Sequence, residues 1–137
     1  MACYQGEKFL AIQLESLLAQ DYSHLEIICV DDASSDATWP ILQAFAHKDK
    51  RLQIIQNETN LGYRKTFEKG INLAKGELIA LSDQDDYWIP SKISRLADSI
   101  KDASLVYADS DLVDDAGQFI GQKMSDIKRQ IAYLTQK

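Results

Sequence analysis

Apolar positions along this chain follow two alternating rhythms. In "EKFLAIQLESLLAQ", Leu10, Leu14, Leu17 and Leu18 fall on one stripe at helical spacing. "LEIICV" is a short run, apolar but for Glu26, as expected of a strand buried on both faces. "DDASSDAT" then offers Ser34, Ser35 or Asp36 as an N-cap, with Asp36 the expected one. "WPILQAFAHK" reads as a second helix, whose Pro40 fits only near the first turn. "RLQIIQ" predicts another strand. "YRKTFEKGINLAKG" predicts a helix with Tyr63, Phe67, Ile71 and Ala74 on one side, a stop at Gly76, and a local basic patch of Lys65, Lys69 and Lys75.

The alternation continues through "ELIAL", the most buried-looking strand of the set, and "PSKISRLADSIKD", a helix opened by Pro90 with Ile93, Leu96, Ala97 and Ile100 on one face. "SLVYAD" predicts a further strand, and "DLVDDAGQFIG" a hairpin turning at Asp115, Ala116 and Gly117. Met124, Ile127, Ile131 and Leu134 carry a helical stripe over residues 122–137, a face available for dimerisation. Strands alternating with helices of this length imply an α/β fold with a mainly parallel sheet and right-handed crossovers.

In such sheets ligands gather at the carboxyl ends of strands. The acidic clusters sit there: Asp31 and Asp32 after one strand, Asp83, Asp85 and Asp86 after another, Asp109 and Asp111 after a third. If residues 83–85 are extended, Asp83 and Asp85 point the same way and converge. A divalent cation would relieve their repulsion, and magnesium commonly takes one or two protein carboxylates and completes its shell with water and phosphate oxygens. The plainer reading is a solvated acidic turn with Asp86 capping the next helix. At Asp31 and Asp32 the plainer reading is a turn leading into an N-cap. The chemical one is a carboxylate accepting the ring N–H of a uracil or thymine imide, which an acceptor-only group selects.

Composition narrows the partners. The chain has 137 residues, 45% of them apolar, 26% charged, with a net charge of −6, which suits one globular domain and argues against nucleic acid as a partner. No apolar run approaches the roughly 20 residues needed to cross a bilayer, and the start lacks a secretory leader pattern. Cys3 and Cys29 read as buried free thiols, which fits the cytoplasm. With two histidines and no CxxC, zinc is not expected. Trp88 and Tyr87 read as packing residues and Gly62 as a turn glycine.

Four stretches, "ACYQGEKFL", "LEIICVDDASSDAT", "NETNLGYRKTFEKGINLAKGELIALSDQDDYWIPSK" and "VYADSDLVDDAGQFIG", resemble in order and spacing the family 2 glycosyltransferases of the GT-A fold, especially bacterial enzymes that build surface polysaccharides. The "SDQDDYW" form is similar to a rhamnosyltransferase-like branch. The resemblance spans residues 1–121 and implies a nucleotide-sugar-binding subdomain there, followed by the amphipathic helix. It implies Ala2, Cys3 and Tyr4 lining the nucleotide pocket, Asp32 on the base imide with Asp31 beside it, and Arg64 near base or phosphates. Asp83 and Asp85 would be the DxD pair, Asp85 the direct ligand of Mg2+ or Mn2+ and Asp83 closer to the ribose or donor sugar. Asp86 would hold a nearby water or cap the next helix.

The activity implied by the resemblance is an inverting transfer of sugar from UDP- or dTDP-sugar to a hydroxyl of a saccharide or lipid-linked acceptor. It would take place in the cytoplasm, with room for peripheral association at the inner face of the membrane. The metal would stabilise the departing diphosphate, and a carboxylate general base would activate the acceptor. The chain departs from the family pattern in two places. Its first strand is expected to be truncated, and the acceptor half that carries the general base is expected beyond Lys137; Asp109 is a weak substitute. A non-catalytic nucleotide-sugar-binding module is therefore the alternative. A phosphoryl-transfer receiver domain is disfavoured because no Thr/Ser and Lys pair follows the strands.

Overall fold

A computed structural model describes residues 1–127. They fall into two compact units, one spanning Met1–Asp98 and one beginning at Ser99. The first unit is the α/β layer expected. Three parallel strands, β1 (Ala2–Cys3), β2 (Ile27–Asp31) and β3 (Leu52–Gln56), lie in the order β1-β2-β3. Ala2 pairs with Val30 and Ile27 with Leu52, so the strands run in step toward one carboxyl rim. Helices α1 (Leu10–Leu18) and α2 (Thr38–Lys48) make the crossovers, and α3 (Tyr63–Leu73) follows β3.

Burial explains the sheet. Every residue of β2 is buried, as the apolar stretch 27–30 requires of a central strand, and the buried set includes the terminal Asp31. On one face Cys3, Ile27 and Cys29 join Leu10, Leu14, Leu17 and Leu42 in the core. On the other, α3 packs against β2, where a Cβ on Gly70 would make an ordinary 3.6 Å contact with Val30 Cγ2. The two cysteines are buried free thiols, as expected. The contact with Cys29, and burial, push the Cys3 thiol well above its ordinary value, so it stays protonated at neutral pH.

Beyond α3 the expectations need correcting. Residues 77–81 form no strand, and Leu78, Ile79 and Leu81 are exposed by half or more. A strand needs a ladder, and the β1 edge offers only two residues of it. Residues 104–109 likewise form no strand, and Leu105 and Tyr107 are exposed. Helix α3 ends at Leu73, so Lys75 lies past it and the basic patch does not share one helix; the Lys75 and Gly76 amides instead donate to Glu26 at 2.6 and 2.9 Å. The cap of α2 is Ala37, one residue later than expected, and Asp36 supports the helix from outside by accepting the Thr38 amide at 3.0 Å.

Helix α4 (Lys92–Ile100) forms after Pro90 and buries none of its residues. In the second unit, β4 (Asp111–Val113) and β5 (Phe119–Lys123) make the expected antiparallel hairpin. Asp114 Oδ1 accepts the Ala116 and Gln118 amides, and Gly117 takes the left-handed conformation that the turn requires. Met124 and Ile127 of the predicted tail stripe begin a helical turn after β5, while Ile131 and Leu134 lie outside the described residues.

Candidate active site

The carboxyl rim of the first unit carries a cavity of about 440 Å³. Ala2, Cys3 and Tyr4 supply one wall, Asp32 and Asn60 another, Tyr63, Thr66 and Phe67 of α3 a third, and Asp83, Gln84 and Asp85 the fourth. Of the residues picked out in the sequence, Ala2, Cys3, Tyr4, Asp32, Asp83 and Asp85 thus come together. Asp31 and Arg64 do not line the cavity. Asp31 ends β2 fully buried, its carboxylate held by Ser34 and by Gln56 Nε2 at 2.9 Å, and Arg64 lies exposed on α3.

Asp32 is 3% exposed and almost wholly engaged by the protein. Its Oδ1 accepts Asn57 Nδ2 at 2.7 Å and the Leu61 amide at 2.8 Å, and its Oδ2 accepts the Gly62 amide at 2.9 Å. Burial alone would push this carboxyl up; the donors from Leu61, Asn57 and Gly62 outweigh it and hold the group below the usual carboxylate range. Asp32 thereby folds the loop ahead of α3, with Gly62 at φ 83°, a conformation that glycine reaches without strain. Lys69 Nζ donates to Asn57 Oδ1 at 2.8 Å and closes the cluster.

Asp83 is treated differently. No described residue donates a hydrogen bond to its carboxylate, and burial, followed by the charges of Asp86 and Asp85, pushes it up. The side chain keeps a solvent-facing surface, so that burial is partial. The segment is not extended as expected: Gln84 and Asp85 form a turn, yet Asp83 and Asp85 still border one cavity. Among the described residues no three potential metal ligands converge, so the rim offers a cation two carboxylates and leaves the remaining positions to water or a ligand. Mutual repulsion without internal donors is what a bound cation would relieve, and this donor set of hard oxygens fits magnesium or manganese.

Besides Asn57, Asn60 and Thr66 around Asp32, two groups of site residues were not recognised in the sequence. One is a polar stripe at i, i+3 and i+7 beside the leucine stripe, with Gln13 and Ser16 on α1 and Gln20 just past its end. Gln13 Nε2 donates to Ser82 Oγ at 2.6 Å, Ser16 Oγ accepts the Trp88 amide at 3.1 Å, and Gln20 Nε2 donates to the Ile89 carbonyl at 2.8 Å. These bonds fix both ends of the acidic loop, and Trp88 is buried there, as expected of a packing residue, while Tyr87 is exposed. The other is Gln84, whose amide pairs with Tyr4.

A family model described as Glycosyl transferase family 2 matches residues 1–136. The chain belongs to that family. Among its relatives, the Escherichia coli UDP-Glc:alpha-D-GlcNAc-diphosphoundecaprenol beta-1,3-glucosyltransferase WfaP is 38% identical over 94 residues, 69% of this chain and 37% of that protein. The Bacillus subtilis putative teichuronic acid biosynthesis glycosyltransferase TuaG is 30% identical over 105 residues, 77% of this chain and 42% of its own length. This glycosyl transferase family 2 chain therefore spans well under half of these relatives. Staphylococcal TarS (S. aureus), solved in complex with UDP-GlcNAc, superposes with a TM-score of 0.68 at 32% identity, over 74% of this chain and 30% of that one. The Pyrobaculum calidifontis mannosyltransferase PcManGT, solved with GDP-Man and Mn2+, shares the fold, with a TM-score of 0.67 at 21% identity over 82% of this chain and 33% of that one. The three-stranded parallel sheet and its helices thus belong to the GT-A architecture.

Proposed function

We propose that this chain carries the donor site of an inverting, metal-dependent glycosyltransferase of surface-polysaccharide synthesis, using a UDP- or dTDP-sugar. The observation that supports it most is the shared cavity of Tyr4, Asp32, Asp83 and Asp85 at the carboxyl ends of parallel strands. The base sits between the β1 end and Asp32, whose carboxylate accepts the imide N–H with what its protein donors leave free. Asp85 is the direct metal ligand and Asp83 lies toward the ribose or donor sugar, sharing the cation's charge. The metal supplies Lewis-acid stabilisation of the departing diphosphate. The acceptor is a saccharide or lipid-linked saccharide, in line with the diphosphoundecaprenol in the name of WfaP. Donor binding is assigned to residues 1–121, and every named site residue lies in the Met1–Asp98 unit.

Asp109 is a weak candidate for the general base, because its carboxylate is already engaged. Ser125 Oγ donates to it at 2.7 Å and the Ser125 and Ser110 amides at 3.0 Å, and the Ser125 hydroxyl chiefly holds the carboxyl below its usual range. Calorimetric titration of UDP, dTDP and CDP, with and without Mn2+, tests the proposal. UDP and dTDP bind with a metal requirement that Asp85→Ala abolishes, and CDP, lacking the imide donor, binds far more weakly. A folded sample that binds none of them would overturn the reading.

A further inference from the structure

The acidic loop is tied to α1 at Ser82 and Trp88 and to Gln20, just past α1, at Ile89, while Gln84 ties its middle to the end of β1. Gln84 Oε1 accepts the Tyr4 amide at 2.8 Å, and Gln84 Nε2 donates to the Tyr4 carbonyl at 2.9 Å. The planar amide thus pairs with the main chain at the end of β1 as a neighbouring strand would, where no fourth strand forms among the described residues. Asp83 and Asp85 flank that anchor, and all three border the cavity with Tyr4. The pairing needs room. A Cβ on Gly6 would fall 2.4 Å from Gln84 Oε1 and 2.7 Å from Cδ, inside any tolerable contact. Gly6 does not take positive φ, so its lack of a side chain serves the approach of Gln84 rather than the backbone.

We propose that Gln84 is a positioning residue: it fastens the Asp83–Asp85 pair to Tyr4, so that cation and nucleotide occupy one rigid site and each strengthens binding of the other, and Gly6 is the space this requires. The proposal rests on the donor-site reading above for its ligands, but the clamp has a readout of its own. Only an amide serves. A carboxylate at this position would place an oxygen against the Tyr4 carbonyl and add charge to the acidic rim.

The experiment is a double-mutant cycle of Gly6→Ala and Gln84→Ala, read in two ways on chains with matched thermal unfolding. The first readout is amide exchange at Tyr4. Tyr4 is half exposed and its amide donates to Gln84, so Gln84→Ala and Gly6→Ala each accelerate its exchange by about tenfold. The second is the gain in UDP affinity on adding Mn2+. Each single substitution cuts that gain, taken as the ratio of UDP affinities with and without Mn2+ in the same variant, by about 5-fold or more. Gly6→Ala has no further effect on either readout once Gln84 is alanine, and Gln84→Glu does not rescue. The proposal is overturned if Tyr4 exchange is unchanged, if the metal gain survives in Gln84→Ala, or if Gly6→Ala remains harmful without Gln84. A parent chain that binds no UDP would sink the donor-site reading. The clamp is then decided by the Tyr4 cycle and by Mn2+ broadening of the Tyr4 amide resonance, which must weaken in Gln84→Ala.

Discussion

Asp32 and Asp83 border the same cavity, and the chain treats them in opposite ways. Asp32 is buried, receives hydrogen bonds from Asn57, Leu61 and Gly62, and has its carboxyl held low. Asp83 receives none from the described residues, sits beside Asp85 and Asp86, and has its carboxyl pushed up. A carboxylate satisfied by its own backbone is part of the scaffold, whatever else it touches. One left with its neighbours' repulsion costs stability, and such costs persist where a ligand uses the group. Two acidic clusters bordering one cavity therefore divide the work: one shapes the pocket and one awaits charge from outside.

The largest expected effect tests the first half of that contrast. Asp32→Ala strips acceptors from the Leu61 and Gly62 amides and from Asn57, a loss on the order of 3 kcal/mol or more. In a chain of this size that lowers Tm by about 10 °C. Asp32→Asn does not repair it, because one amide N–H must then face a backbone donor. Thermal unfolding with unchanged Tm in both variants would break the contrast.

Next in size is the other side. Asp85→Ala removes a group that the protein does not bond, so stability stays within about 0.5 kcal/mol while metal-dependent UDP binding disappears. Destabilisation comparable to Asp32→Ala, seen in the same melts, would mean that Asp85 belongs to the scaffold as well.

Much of the scaffold is legible in the sequence. The run "LEIICV" could only be a strand buried on both faces, and the leucine spacing of α1 fixed its inner stripe. Residues 77–81 mislead because apolar character reports a wish to be buried, whereas a strand also needs an edge to pair with, and β1 supplies two residues. Residue type alone does not separate Asp31 from Asp32; the resemblance ranked Asp32 first, and of the two only Asp32 lines the cavity. Gln84 is invisible for a similar reason: between two acids it reads as a spacer, and its partner lies 80 residues away. The polar stripe Gln13, Ser16 and Gln20 does carry a spacing signal, masked by the leucines beside it.

A smaller effect sharpens the contrast through pH. Asp32 has a folded pKa below its unfolded one, so its contribution is complete above the ordinary carboxyl range and is lost as pH falls through about 4 toward the folded value. Asp83 has the reverse shift, so the native state is favoured at low pH and loses that advantage as pH rises through the raised value. Denaturant unfolding from about pH 3 to about pH 7 separates them. Asp32→Asn flattens the acid loss, whereas Asp83→Asn gains stability relative to the parent as pH rises, by less than about 1 kcal/mol because the group is partly solvated. Matching slopes for the two variants would mean that the carboxylates are not in different environments.

The smallest effect expected is at Arg64. The resemblance to family 2 enzymes sets a basic residue near the base or phosphates, but Arg64 is exposed on α3 while Tyr63, Thr66 and Phe67 face the cavity. A guanidinium outside the cavity contributes to a bound diphosphate only through screened, long-range attraction, which weakens over about 10 Å at ordinary ionic strength. Arg64→Ala therefore leaves UDP affinity within about twofold, and the difference shrinks further in salt. A loss of tenfold or more that resists salt would show a direct contact formed on binding, with α3 turning to bring Arg64 inward. The nucleotide would then be held by a moving helix on one side, against the fixed Asp32 cluster on the other.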